Sequence, residues 1–189
     1  MRRAVELGLS GLALVDRDEL GGAVRFHRSA DELGLRALHG VTLTLEGGAC
    51  LPLLALDRTG WSHLCRLVTL ARTRSPRGQP RTSLSSLEAH SAGLLALTGG
   101  LEGPVARALR ADDEPLARSI LGRLVEIFGS ERVVIEAWRH DLPYEHRLAE
   151  TLISMAQRWS LPWIPTHDVR YARPEDRGAM DVLTCLKHK

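Results

Sequence analysis

The chain has no apolar run long enough to cross a bilayer. Its longest, Gly93 to Leu97 and Val133 to Ala137, fall far short of the ~20 residues a spanning helix needs. No apolar segment follows Met1-Arg2-Arg3 as an export signal would require. Both absences lead to the expectation of a soluble, unexported, cytoplasmic protein. Cysteine is scarce as well: Cys50, Cys65 and Cys185 have no close pair spacing, which excludes a disulfide framework and reads as buried thiols in a reducing compartment. No Gly/Ser tract, charge block or low-complexity stretch marks a linker, so residues 1–189 are expected to form a single domain.

What is present is ordinary globular composition, 44% hydrophobic and 25% charged in 189 residues, with a formal net charge of +2. Length and hydrophobicity suffice for one well-buried core. The charge is unevenly spread. Residues 58–81 carry Arg58, Arg66, Arg72, Arg74, Arg77 and Arg81 and no acid, while each flank is acidic by two charges. Such a stretch is either a solvated face or a phosphate-contacting patch, with Arg66, Arg72, Arg74, Arg77 and Arg81 as the DNA-contact candidates. Its single aromatic residue, Trp61, reads as core rather than as a base-stacking platform.

Helical and strand patterns alternate along the chain. Apolar strands are expected at 12–15, at 35–39 and 41–45 on either side of Gly40, at 50–56, 94–98, 132–137 and 163–165. Amphipathic helices are expected at 21–33, 61–73, 101–111, 114–128 and 144–159, the last packing through Leu148, Leu152, Met155, Ala156 and Trp159. Ser83 is placed to cap a short helix, and Gly34 and Gly129 to stop longer ones. This alternation implies an α/β fold with a mostly parallel sheet, open or closed into a barrel, whose chemistry collects at the carboxyl ends of the strands. Four such ends present His or Asp: Asp16 and Asp18, His39, His140, and His167 with Asp168. Carboxylate and imidazole there suit zinc, manganese or iron. For Asp16 and Asp168 the alternative role is the N-cap of the following helix.

Six segments also share order and spacing with a known family. Leu14-Val15-Asp16-Arg17-Asp18-Glu19-Leu20-Gly21-Gly22-Ala23-Val24-Arg25-Phe26 resembles "TDH-D-G-L-x-G-A-x-x-F", and Gly40-Val41-Thr42-Leu43-Thr44-Leu45 resembles "G-x-E-L-x-L". Gly60-Trp61-Ser62-His63-Leu64-Cys65-Arg66-Leu67 resembles "G-Y-x-N-L-C-R-L", and Leu97-Thr98-Gly99-Gly100 resembles "L-T-G-C/G". Val134 to His140 resembles "V-x-x-E-L-x-x-H", and Pro165 to Tyr171 resembles "A-T-N-D-V-H-Y". These are segments of the PHP (polymerase and histidinol phosphatase) domain of bacterial C-family DNA polymerases, closest to the error-prone, translesion branch.

The resemblance implies a distorted (β/α)7 barrel, here without its first strand, and a chain truncated at its N-terminus relative to the family. It could be a fragment of a longer polymerase. The resemblance also implies ligand positions at Asp16, His140 and Asp168, but Arg17, Thr42 and Arg170 stand where the family has His, Glu and His, and the His-x-His of the missing strand has no counterpart. A guanidinium stays protonated and offers no lone pair to a metal.

The preferred expectation is therefore a degenerate site with no cofactor, in which Arg17 and Arg170 stand in for cations. Its rival is one vestigial zinc or manganese held by Asp16, His140 and Asp168. The implied role is structural or in interaction, within DNA replication and translesion repair. The alternatives are an active metal-dependent phosphoesterase or 3′–5′ exonuclease, and a DNA-binding accessory module. Expected partners are the polymerase body or other replication and repair proteins, DNA, and a second copy meeting an exposed barrel edge.

Overall fold

Glycine and capping residues punctuate the chain into short elements. The structure, a computed structural model, describes residues 1–138 and 143–187. Along these run α1 (Arg2–Glu6), β1 (Gly11–Leu14), α2 (Ala23–Glu32), β2 (Arg36–Thr44), β3 (Cys50–Ala55), α3 (Arg58–Thr73) and α4 (Leu84–Ala89). They are followed by β4 (Leu94–Leu97), α5 (Pro104–Arg110), α6 (Glu114–Phe128), β5 (Val133–Trp138), α7 (Pro143–Arg158), β6 (Trp163–Thr166) and α8 (Arg177–Lys187), with 3-10 turns at Gly100–Glu102, Ser130–Arg132 and Pro174–Asp176.

Caps set several boundaries. Asp57 accepts from Gly60 N at 2.8 Å to start α3, Ser83 from Ser86 N at 3.2 Å to start α4, and Asp113 from Leu116 N at 2.9 Å to start α6. Each occupies an amide that the first turn cannot satisfy internally.

The strands lie side by side in chain order, β1 to β6, in a curled half-barrel. Parallel pairing joins β1 to β2, β4 to β5 and β5 to β6, whereas β3 is antiparallel to both its neighbours. The sheet is thus mostly parallel with this one strand reversed, and the cause of the reversal is the length of the connection. Between β2 and β3 the chain turns at Gly48 (φ 77°), closed by Leu45 N–H to Ala49 O at 2.8 Å and Gly48 N–H to Leu45 O at 2.7 Å. A parallel return would need a crossover of about a dozen residues.

Gly40, expected to separate two strands, lies inside one. A Cβ there would run into Leu53 O, Leu54 Cδ2 and Val15 Cγ1, so the glycine marks a close approach from both neighbouring strands rather than a break.

The core fills the space between the sheet and the helices. Val41, Leu43, Leu51, Leu53, Leu94, Val133 and Ile135 face Leu64 and Leu67 of α3, Leu87 of α4, Leu121, Leu124 and Phe128 of α6, and Leu152 and Met155 of α7. Each fully buried side chain of this size contributes about 1.5–3 kcal/mol.

Two expectations about side chains change. Cys50 is buried, but Cys65 and Cys185 are exposed. Cys65 sits one position off the buried stripe Leu64, Leu67, Ala71 of α3, and Cys185 lies on α8, whose apolar Val182, Leu183 and Leu186 are themselves exposed. Trp159 follows the last turn of α7 and is 39% exposed. It lies against Gly122 of α6 instead of entering the core with Leu152 and Met155.

Candidate functional site

The strand directions place one set of loops along a single rim. The carboxyl ends of β1, β2, β4, β5 and β6 meet there with the beginning of β3, so Asp16 to Asp18, Thr42 to Thr44, Cys50, Thr98 to Gly100, Glu136 to Trp138, and Thr166 to Asp168 all border the mouth of the half-barrel. This is the face where α/β folds carry their chemistry.

The β1 side of the rim is tied down by Asp18. It is 6% exposed, has φ 55°, and accepts from Thr44 N at 2.8 Å and Thr44 Oγ1 at 2.6 Å. Its backbone is engaged as well: Asp18 N–H donates to Thr42 O at 2.9 Å, and Arg72 Nε donates to Asp18 O at 2.9 Å while Nη2 reaches Glu19 at 3.3 Å. Thr42 Oγ1 donates to Val15 O at 2.9 Å.

Asp16, the neighbouring carboxylate, is half-buried beside Gly22, where a Cβ would lie 3.2 Å from its Oδ2. α2 has Gly22 as N-cap and no side-chain cap bond, so Asp16 does not take the capping role. Arg17 is exposed and close enough to Cys50 to oppose the upward push that burial gives the Cys50 thiol.

The β4–β5–β6 side is built around Glu136. Its carboxylate is 5% exposed, with Oε2 accepting from Gly99 N at 2.7 Å and Oε1 from Thr166 Oγ1 at 2.8 Å, while its own amide donates to Thr98 Oγ1 at 2.9 Å. Burial pushes this carboxyl above its ordinary value; Thr166, Gly99, Trp138 and Gly100 pull the other way by hydrogen bonding to the ionised form.

Gly99 and Gly100 both have positive φ, 87° and 46°. At Gly100 a side chain would enter the Trp138 indole. One buried carboxylate thus joins three strand ends. Asp18 was among the strand-end acids read from the sequence; Glu136 was not singled out as a site residue, although a lone acid inside the apolar run Val133 to Trp138 was the available signal.

At the last strand end, Asp168 is not a helix cap either: the 3-10 turn at Pro174–Asp176 is preceded by Arg173 as N-cap. The carboxylate is taken by Arg170, whose Nε donates to Oδ2 at 2.6 Å. Asp16 and Asp168 therefore share a rim but follow the two outermost strands of the sheet, and His140 lies outside the described residues.

A divalent cation needs several converging oxygen or nitrogen donors. Among the described residues no three His, Cys, Asp or Glu side chains come together in that way, Asp18 is spent on Thr44, and Asp168 on Arg170. The described donors do not fit a metal cage. Of the basic stretch, Arg66, Arg74, Arg77 and Arg81 are exposed on α3 and the turn after it, while Arg72 is committed to Asp18 and Glu19.

A curled α/β sheet with its loops gathered on one rim defines a class of barrel-like α/β domains. Residues 1–140 match the PHP domain, and the chain belongs to that family. It is homologous to C-family polymerase subunits: 32% identical over 183 residues to the DNA polymerase III subunit alpha of Rickettsia bellii, covering 94% of this chain and 16% of that one. To the error-prone DNA polymerase of Alkalilimnicola ehrlichii it is 33% identical over 190 residues, covering 100% of this chain and 17% of the relative. The chain thus spans about a sixth of the length of these polymerases.

Two solved structures share the fold. A Bifidobacterium adolescentis protein proposed to be a metal-dependent phosphoesterase has a TM-score of 0.63 at 17% identity, with 92% of this chain and 82% of that one covered. An amidohydrolase from Chromobacterium violaceum has a TM-score of 0.57 at 15% identity, with 88% and 79% covered.

Proposed function

We propose that residues 1–189 act as one PHP domain of an error-prone C-family polymerase, located in the cytoplasm and serving DNA replication and translesion repair in a structural or interaction role, with the polymerase body as its partner. In this reading the rim has lost metal-dependent hydrolysis. The observation that carries it is the Arg170 guanidinium seated on Asp168 at 2.6 Å: a permanently charged side chain pairs with the carboxylate that a metal would need, and Arg does not release it by losing its proton. Among the described residues the carboxylates of Asp18 and Glu136 are likewise saturated by internal donors, and serve to hold the rim in shape.

The test is hydrolysis of a model phosphodiester and of a labelled DNA 3′ end, with manganese or zinc added, alongside elemental analysis of the purified chain. No turnover above a blank is expected, and no stoichiometric metal that depends on Asp168. Turnover, or bound zinc or manganese, that disappears in Asp168→Ala would overturn the reading in favour of an active phosphoesterase.

A further inference from the structure

Away from the rim, β2 and α2 bring two imidazoles together on the helix-covered face of the sheet. His39 Nε2 and His27 Nδ1 are 3.3 Å apart, and the other nitrogen of His27, Nε2, lies 3.5 Å from Asp31 Oδ2 one turn along α2. The His39 ring is set by aromatic neighbours on both elements beside it. Phe26 meets it edge-on at 5.8 Å and Trp61 at 5.5 Å, centroid to centroid. Burial, with the adjacent His27, holds His39 below the usual imidazole range, so it carries a lone pair at neutral pH. Its Nδ1 is buried without a hydrogen-bond partner.

We propose that His27 and His39 form a binding site for a borderline transition-metal cation such as copper(II), nickel(II) or zinc(II). With metal–nitrogen bonds of about 2.0–2.1 Å, two donors lie about 3.3 Å apart in a tetrahedral zinc(II) site and about 2.9 Å apart in a tetragonal copper(II) or nickel(II) site; the 3.3 Å between the two nitrogens matches the first and reaches the second by a small side-chain shift. Ligation through His27 Nδ1 fixes its proton on Nε2, facing the Asp31 carboxylate; this carboxylate–histidine arrangement orients a metal ligand and raises its basicity. Imidazole pairs suit these cations. With two protein donors, the remaining coordination positions fall to water or to an added chelating ligand. The site is separate from the rim positions Asp16 and Asp168.

A second histidine pair serves as the internal control. His63 and His90 stand edge-to-face with centroids 5.5 Å apart, each donating Nδ1–H to a backbone carbonyl, of Ala92 and Ser86 respectively. The experiment titrates the full chain, first stripped with a chelator, with copper(II), and reads affinity together with quenching of tryptophan fluorescence. One saturable site is expected, its quenching abolished in Trp61→Phe. His27→Ala, altering a side chain 57% exposed, is expected to weaken binding at least about 10-fold. Asp31→Asn, which keeps both ligands, is expected to weaken it by about 10-fold or more. His63→Ala should leave it unchanged. No saturable binding, affinity unaltered in His27→Ala, or loss in His63→Ala instead would overturn the assignment.

Discussion

Replacing Glu136 by alanine asks whether the rim is held from within. The carboxylate receives the Gly99 amide at 2.7 Å and the Thr166 hydroxyl at 2.8 Å. The Gly99 amide has little freedom to turn away, since its backbone is fixed at φ 87° with Cys50 O and Gly103 packed against it. A buried donor left unsatisfied costs about 1–3 kcal/mol. The threonine hydroxyl rotates to find another acceptor, which limits its share to about 0.5–1 kcal/mol, and the space vacated adds about 1 kcal/mol. The loss comes to about 2.5–5 kcal/mol, a large part of the 5–15 kcal/mol typical of a whole domain. Glu136→Gln keeps the shape and one acceptor and should lose about 1–2 kcal/mol.

Urea unfolding followed by tryptophan fluorescence reads this directly, because Trp138 adjoins the site. The raised carboxyl pKa fixes the pH dependence. The native state holds this proton more tightly than the unfolded chain, so the Glu136 contribution to stability declines as pH rises from the ordinary value of 4.5 through the raised native one. Glu136→Gln should lack that component of the slope. A loss below about 1 kcal/mol in Glu136→Ala would mean that water or another acceptor reaches the Gly99 amide, and that Glu136 does not hold the three strand ends.

Asp18→Ala, which strips both bonds to Thr44, should cost about 2–3 kcal/mol and lower the melting temperature by about 2–4 °C per kcal/mol, as followed by circular dichroism. Asp18→Asn should lose less, because asparagine tolerates the φ of 55°. Gly100→Ala should destabilise by more than about 1 kcal/mol and shift tryptophan emission, since the added methyl meets the Trp138 indole; unchanged emission and melting would contradict that packing. The depressed His39 pKa predicts stability that is complete above the unfolded value of 6.5 and falls as pH drops through the lower native one. His39→Phe should flatten this part of the profile in denaturant titrations.

The sheet was largely legible in the sequence because its strands are short apolar runs bounded by glycine and turn residues, and the helix ends at Ser83, Gly34 and Gly129 could be read the same way. Gly40 misled, since the same residue that signals a break also permits neighbouring backbones to approach, and only the third dimension distinguishes the two. The departures from the family's motifs at Arg17, Thr42 and Arg170 could be read from motif order, but the partners of the rim carboxylates could not. Asp18 finds Thr44, and Glu136 finds Gly99 and Thr166, through contacts between distant strand ends that no local spacing encodes. The same applies to His27 and His39, which meet only when α2 folds back over β2.

The reversed strand β3 also shapes how the sheet can assemble. Thr44 and Cys50 pair across a tight turn, whereas every other pairing joins residues far apart in the chain: Leu14 with His39, Ala55 with Leu94, Leu97 with Val134, Ile135 with Trp163. A hairpin forms in about 1–10 μs, before the loop-closure entropy of the long connections has been met. The β2–β3 hairpin lies inside the sheet, with β1 on one side and β4 on the other. It can therefore serve as a nucleus from which the sheet grows outward in both directions, so substitutions in that turn should slow folding more than they speed unfolding.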